Sequence, residues 1–298
     1  MAEKSKYRFK GHETFVLREG WLNKGLSETA EDEKVFTKNF GADALGVGPN
    51  MAKAIRYWLK AADLVEDGYR AGVWLNDMGK LILDRDPYIE DMFTLWLVHC
   101  RIASNIRQAT AWNLFFNRFS YEEFDKNQMY GEMKELAEEL LEGEPVAEKS
   151  LEGDCDAILH MYLPKAAKEN NPEEKNVSPF GRLGLLRESG GIISRKQPDL
   201  NRLPEEILLY LMAEMRPEKT SVYFEDLLEL PNSPGKLLFL RRTALMELLE
   251  RLEAKGCVTV NRTAGLNMVY WEKQQSGFEI AEAYYGTVEK SDKNQSEF

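Results

Sequence analysis

The chain offers little material for disulfide or metal–thiolate chemistry. Three cysteines, Cys100, Cys155 and Cys257, stand singly among 298 residues with no C-x-x-C spacing. A disulfide framework and a cysteine-based zinc site are therefore excluded. Histidine is as scarce, with three copies. His99 has no second ligand four residues away and lies in an apolar run, so it reads as a core histidine. No apolar stretch approaches the roughly 20 residues that cross a bilayer. The opening MAEKSKYRFKGHE lacks the apolar core of a signal peptide, so a cytoplasmic location without a membrane partner is expected. Asp154 and Asp156 form an i, i+2 acidic pair before a helical run, yet the further carboxylates and lysine of a metal nuclease are missing. No metal site, cofactor or catalytic residue is assigned.

What remains is ample core material, since 43% of the residues are hydrophobic and 11% aromatic. That is enough for two or three small cores. The net charge of −11 is concentrated: residues 121–156 hold 13 acids against 3 lysines, which leaves the rest near neutrality. Screening over about 8 Å at physiological salt lets a basic patch coexist with such a segment. The acidic stretch itself reads as a solvated helix over 129–141 followed by a loop.

The stretch DALGVGPNMAKAIRYWLK, residues 43–60, organises the reading. Gly46 and Gly48 make a turn and Pro49 suits a first helical turn. Met51, Ile55, Trp58, Leu59 and Ala62 then share one face, with Lys53, Arg56 and Lys60 opposite and no acid among them. Leu64 and Val65, the turn residues Asp67, Gly68 and Gly72, and the run Val73 to Leu75 follow as strand, turn and strand. Helix followed by hairpin predicts a winged helix, a fold used for DNA contact and for protein docking alike; on the DNA reading Gly48, Asn50, Lys53, Arg56, Tyr57 and Lys60 lie at the groove and Arg70 on the wing. Upstream, FKGHETFVLREGWLNKGLSETAED places His12 and Glu13 before an amphipathic helix buried through Phe15, Leu17, Trp21, Leu22 and Leu26. The pair reads as structural, through cap or inter-helix hydrogen bonds.

Residues 91–119 read as two apolar helices joined near Ser104 and Asn105. Their Arg101, Arg107 and Arg118 either extend the basic surface or neutralise the acidic segment. Residues 151–163 read as a helix whose Asp154 and Asp156 favour its N-terminal dipole. A polar loop with three prolines, PKAAKENNPEEKNVSP, leads to a hairpin around Gly190 and Gly191. From Leu203 the order repeats: three helices, the third over 233–256, then strand, turn and strand. Lys236, Arg241 and Arg242 are its basic candidates, diluted by Glu247, Glu250 and Glu253, so protein docking or dimerisation is an equal alternative to DNA. The expected fold is mainly α: winged helix-turn-helix units at 1–90 and 201–288, a helical middle region at 91–200, and a disordered tail at 289–298.

The segments FKGHETFVLREGWLNKGL, LGVGPNMAKAIRYWLKAADLVE, DPYIEDMFTLWLVH, DCDAILHMYLP and SPFGRLGLL together resemble the prokaryotic family catalogued as domain of unknown function 4007. The likeness spans most of the chain, with a G-H-E-[TS]-F motif at Gly11 to Phe15 and a G-V-G-x-N-M motif at Gly46 to Met51. Pro49, where the pattern leads one to expect Lys or Arg, removes one phosphate contact. The resemblance implies a gene neighbourhood of DNA phosphorothioation and other phage-defence systems, beside cysteine desulfurases and phosphoadenosine-phosphosulfate reductase-like proteins.

Three functions follow as expectations. The first is a non-enzymatic DNA-binding accessory or regulator of a DNA-modification or anti-phage defence system, with double-stranded DNA and neighbouring defence proteins as partners. The second is a protein–protein adaptor that scaffolds such subunits. The third is a nuclease or other enzyme built on His12 and Glu13, for which a third catalytic group and a pocket are missing from the sequence.

Overall fold

A computed structural model describes residues 7–68, 72–164, 177–262 and 267–295, with backbone only over 289–295. The chain divides into two compact units, one ending at Gln197 and the other starting at Pro198. It is mainly helical, with small antiparallel sheets.

In the first unit, residues 7–20 run without regular structure into α1 (Trp21–Glu31). The helix expected to include Phe15 and Leu17 starts later because Glu13, Thr14 and Gly20 all take positive φ. A 3-10 turn, Asn39–Gly41, leads to α2 (Ala42–Leu45). Gly46 stops α2 at φ 62°, and α3 (Pro49–Ala61) opens on Pro49 as expected from its missing N–H. Strands β1 (Val65–Gly68) and β2 (Gly72–Leu75) pair in the register Asp67↔Val73. Gly72 is obligatory: its φ is 113°, and a Cβ there would lie 2.4 Å from the Glu33 carbonyl oxygen.

Next come α4 (Asp77–Arg85), α5 (Met92–Ser104), α6 (Thr110–Asn117), β3 (Glu123–Phe124), α7 (Lys126–Leu140) and α8 (Glu148–Tyr162). Local chemistry sets several starts. Asn76 accepts from the Gly79 amide at 2.9 Å, Asp91 accepts from Phe93 at 2.7 Å, and Asp125 with Gln128 forms a capping box. Each such cap stabilises its helix by about 1 kcal/mol. A 3-10 turn, Pro179–Leu183, precedes β4 (Leu186–Ser189) and β5 (Ile192–Arg195), the hairpin expected at Gly190 and Gly191. Strand β3, too short for any periodicity, joins β5 to complete the sheet.

The boundary expected at residue 90 does not separate two bodies, because α5 closes the end of α3. Arg101 donates to the Ala62 and Asp63 carbonyls and Asn105 to those of Lys60 and Ala61, satisfying acceptors that a helix C-terminus leaves open. Arg101 thus serves α3 internally. Arg118 does meet the acidic segment, 2.6 Å from Glu139. Trp96, Trp112, Phe93, Phe115, Phe116 and Tyr162 fill the core. His99 is buried there, 2.7 Å from the Tyr162 hydroxyl.

The second unit runs α9 (Glu206–Met215), β6 (Ser221–Tyr223), α10 (Phe224–Glu229), α11 (Pro234–Leu237), α12 (Arg242–Ala254), β7 (Val258–Asn261), β8 (Met268–Trp271) and α13 (Gly277–Gln295). Its sheet order is β6-β8-β7, all antiparallel. The helix expected over 233–256 is broken in two, since Phe239 takes φ 52° and α12 begins afresh after Arg241. The tail expected to be disordered from 289 continues α13 to Gln295.

Candidate functional site

Residues 7–15 and α3 build the site together. The Gly11–Phe15 motif is a knot that ties the N-terminal segment to elements far along the chain. The Thr14 amide donates to His12 Nδ1 at 3.3 Å, which leaves Nε2 to carry the proton toward Asp154 Oδ1 at 2.9 Å. Asp154, on α8, also accepts from the Lys10 amide at 3.0 and 2.9 Å. Both side chains are buried, at 2% and 1% exposure. Burial pushes the Asp154 carboxyl up from its ordinary value, against the lowering effect of the His12 and Lys10 hydrogen bonds. Asp154 therefore does not serve the helix dipole as expected: seven residues into α8, it is the buried acceptor of the knot.

Aromatic rings enclose the imidazole. Trp58 stacks on it at 6.0 Å and Trp112 meets it edge-on at 5.7 Å. Trp58 in turn donates from its indole to the Phe15 carbonyl at 3.1 Å. Gly11 lies against Tyr57 so closely that a Cβ would stand 2.3 Å from the ring. His12 is expected to make cap or inter-helix hydrogen bonds; its contact runs to Asp154 on α8 and not to the start of α1, where Gly20 makes no side-chain cap. Both ring nitrogens of His12 are engaged and its ring is buried.

The knot presents its outer edge to α3. Arg8, Gly11, Glu13, Phe40, Lys53, Arg56, Tyr57, Lys60 and Asp67 line a cleft of about 280 Å³. Lys53, Arg56 and Lys60 are thus brought together as their helical spacing predicts. Arg8 and Glu13 join them from the N-terminal segment, and Asp67 from β1. Three cations lie on aromatic faces: Arg8 is 5.1 Å from the Tyr57 centroid, Lys53 4.5 Å from that of Phe40 and Arg56 5.7 Å from that of Phe36. Arg56 and Lys60 also meet a carboxylate. Arg56 spans both Asp67 oxygens at 2.9 and 3.0 Å, and Lys60 reaches Asp67 at 2.7 Å. Burial raises the Asp67 carboxyl, but the Lys60 hydrogen bond and the Arg56 charge outweigh it and hold the group below the usual aspartate range.

Several expected contacts move. Tyr57 is 2% exposed and supports Gly11 and Arg8 from beneath, so it reaches the cleft as part of its floor. One turn of helix places it on the flank covered by the N-terminal segment, and burial raises its phenol well above the ordinary value. Gly48 and Asn50 are exposed at the first turn of α3, outside the cleft, and Asn50 accepts from Lys53 at 3.3 Å. Arg70 lies outside the described residues.

In the second unit Lys236 and Arg242 are paired with Glu229 and Glu225, and Arg242 lies 5.0 Å over Phe224. Arg241 is exposed immediately before α12. None of these three lines the cleft of α3. No group of three or more His, Cys, Asp or Glu side chains suited to a metal occurs among the described residues. No described helix is long and apolar enough to cross a membrane.

The role of Asp154, the partnership of Arg8 and Glu13 with α3, and the position of Asp67 escape sequence reasoning. Asp154 and His12 are separated by 142 residues, and no periodicity links them. Arg8, by contrast, carries a weak signal, sitting three residues before the G-H-E-T-F motif.

A family model described as "Protein of unknown function (DUF4007)" matches residues 9–285. No curated protein matches significantly. Two solved structures are similar. One, "SspB crystal structure", shares 24% identity at TM-score 0.81, with 94% of this chain and 88% of that chain covered. The other, "Magnesium ion-bound SspB crystal structure", shares 25% identity at TM-score 0.80, covering 92% and 86%.

Proposed function

Because the chain belongs to the DUF4007 family of proteins of unknown function, its own surface has to supply the reading, and we propose that it is a DNA-binding, non-enzymatic component of a prokaryotic DNA-modification or anti-phage defence system. One observation carries the DNA part: Arg8, Lys53, Arg56 and Lys60 converge on a single cleft beside the β1–β2 hairpin. Cations gathered in this way suit phosphate oxygens. We read α2, α3 and the hairpin as a winged helix. The second unit supports the same architecture, with helix α9, strand β6, helices α10 to α12, then strands β7 and β8 in the order β6-β8-β7. The defence setting rests on the gene neighbourhood that the family resemblance implies.

The test is a polarisation titration of the purified chain with duplex DNA over a range of salt. The logarithm of affinity is expected to fall with the logarithm of salt by about 0.9 per phosphate contact. Lys53→Glu with Arg56→Glu removes the binding while circular dichroism stays native. Binding that ignores both the salt and the substitutions sinks the reading. Failure of the chain to bind DNA alone, with co-purification of a neighbour-encoded protein, favours the adaptor instead.

A second reading has its own support. One of the two similar structures is described as magnesium ion-bound, and two carboxylates of this chain, Glu13 and Asp67, line the cleft among the cations. Magnesium is commonly held by one or two carboxylates together with substrate phosphates. On this reading Glu13 and Asp67 would hold the ion, which would supply charge stabilisation for phosphodiester cleavage. Magnesium-dependent nicking of supercoiled plasmid, lost in Glu13→Gln, is its signature; nicking unaffected by that substitution excludes the site.

A further inference from the structure

We propose that the cleft is a phosphate-oxyanion site in which the Asp67 carboxylate of the hairpin stands in for the ligand, so that a phosphodiester must displace it to engage Arg56 and Lys60. This rests on the DNA-binding reading of the same cleft and deepens it by naming what the ligand competes with.

The geometry is that of a bound anion. Arg56 meets Asp67 through one terminal nitrogen shared between both oxygens, at 2.9 and 3.0 Å, and Lys60 adds the 2.7 Å contact. A phosphate offers similar acceptors to the same donors. Arg56 Nε is buried without a hydrogen-bond partner, so the guanidinium holds donor capacity that the Asp67 contact leaves unused. A buried donor left in this way is costly. Arg8 and Lys53 complete the lining. Their contacts are to the Tyr57 and Phe40 rings and to Gln108 and Asn50, neutral partners that leave their charges uncompensated by those contacts.

The cleft therefore combines two cations on neutral partners with two that share the single charge of Asp67, and its other carboxylate is Glu13. A phosphate attracted by Arg8 and Lys53 meets Asp67 as a like charge, and full engagement requires the carboxylate to yield. The half-exposed position of the pair keeps that exchange within reach: side-chain exposure is 37% for Arg56 and 29% for Asp67. Exposed ion pairs of this kind are individually weak. The hairpin is anchored independently at its other strand, where the Val73 amide donates to the Glu33 carbonyl at 2.7 Å, so Asp67 can withdraw without that contact being lost.

The experiment compares the full-length chain with Asp67→Asn in EDTA, using two probes. With a labelled duplex at low salt, the variant is expected to bind about tenfold more tightly, as two weak pairs are released and a like charge is removed. With inorganic phosphate, the variant gains a concentration-dependent rise in melting temperature larger than that of the parent. Arg56→Gln in the Asp67→Asn background cancels both gains, and a native circular dichroism spectrum certifies each protein. Phosphate stabilisation without duplex binding in either protein keeps the oxyanion site and overturns the DNA reading. Duplex binding equal in the two proteins, or weaker in Asp67→Asn, overturns the inference while leaving the DNA reading in place. Neither probe responding to the substitution overturns it as well.

Discussion

At the level of single residues, the most consequential contact is the one between His12 and Asp154. Each partner supports the other's burial: without Asp154 the His12 Nε2 loses its acceptor among the Trp58, Trp112 and Tyr57 rings, and without His12 the buried Asp154 keeps only the Lys10 amide. His12→Ala and Asp154→Ala are each expected to cost about 3–5 kcal/mol in urea unfolding, the range for breaking a buried pair from one side. The double variant is expected to cost clearly less than the sum, because each single change already forfeits the same contact. Additive losses would show that the two groups are independent. The G-H-E-T-F motif was visible in the sequence as a cluster of chemistry-bearing residues. Its partner was not, since Asp154 looks like any acid near a helix start until α8 turns it inward.

At the level of elements, α3 was legible almost residue by residue. Its Pro49 start, its apolar stripe and the alignment of Lys53, Arg56 and Lys60 follow from the 3.6-residue period. What the period leaves undetermined is the flank at Tyr57, which the N-terminal segment covers, and the carboxylate that the hairpin brings across. Asp67 alternates along β1 with Glu66, whose carboxylate instead accepts from the Trp74 indole at 3.2 Å. One strand thus sends successive acids to opposite faces. The depressed carboxyl of Asp67 has a measurable sign. A group held below its unfolded value adds stability that is present above the ordinary aspartate range and is lost as pH falls through the folded value. The parent is therefore expected to melt above Asp67→Asn at neutral pH, with the gap closing below about pH 4. A gap that is constant down to strongly acid pH would show that the carboxylate charge is not what stabilises the hairpin. Long helices such as α7 and α8 were similarly legible. The break between α11 and α12 was not, because the left-handed residue there is Phe239, which carries none of the turn signal of glycine.

At the level of the molecule, two units emerge where three regions were expected. The middle helices belong with the first 90 residues because the chain start is tied to them: Arg8 donates to Thr110 across 102 positions and Lys10 to Asp154 across 144. Hydrophobic periodicity reports on one element at a time and is silent about such distant pairing. Deleting residues 1–14 is accordingly expected to abolish the cooperative unfolding of the first unit, whereas residues 198–298 expressed alone are expected to give a helical, cooperatively melting protein. A truncated chain that still melts as the parent does would refute the role of the knot. The aromatic cage around His12 makes that experiment optical as well. Five of the six tryptophans, Trp21, Trp58, Trp74, Trp96 and Trp112, precede residue 198, and Trp271 alone follows it. Intrinsic emission is thus dominated by the first unit, and two of its emitters stand within 6.0 and 5.7 Å of one imidazole. Opening of the knot moves Trp58 and Trp112 from a buried, ring-lined site into water, so the colour of the protein's own fluorescence records whether residues 7–15 are in place.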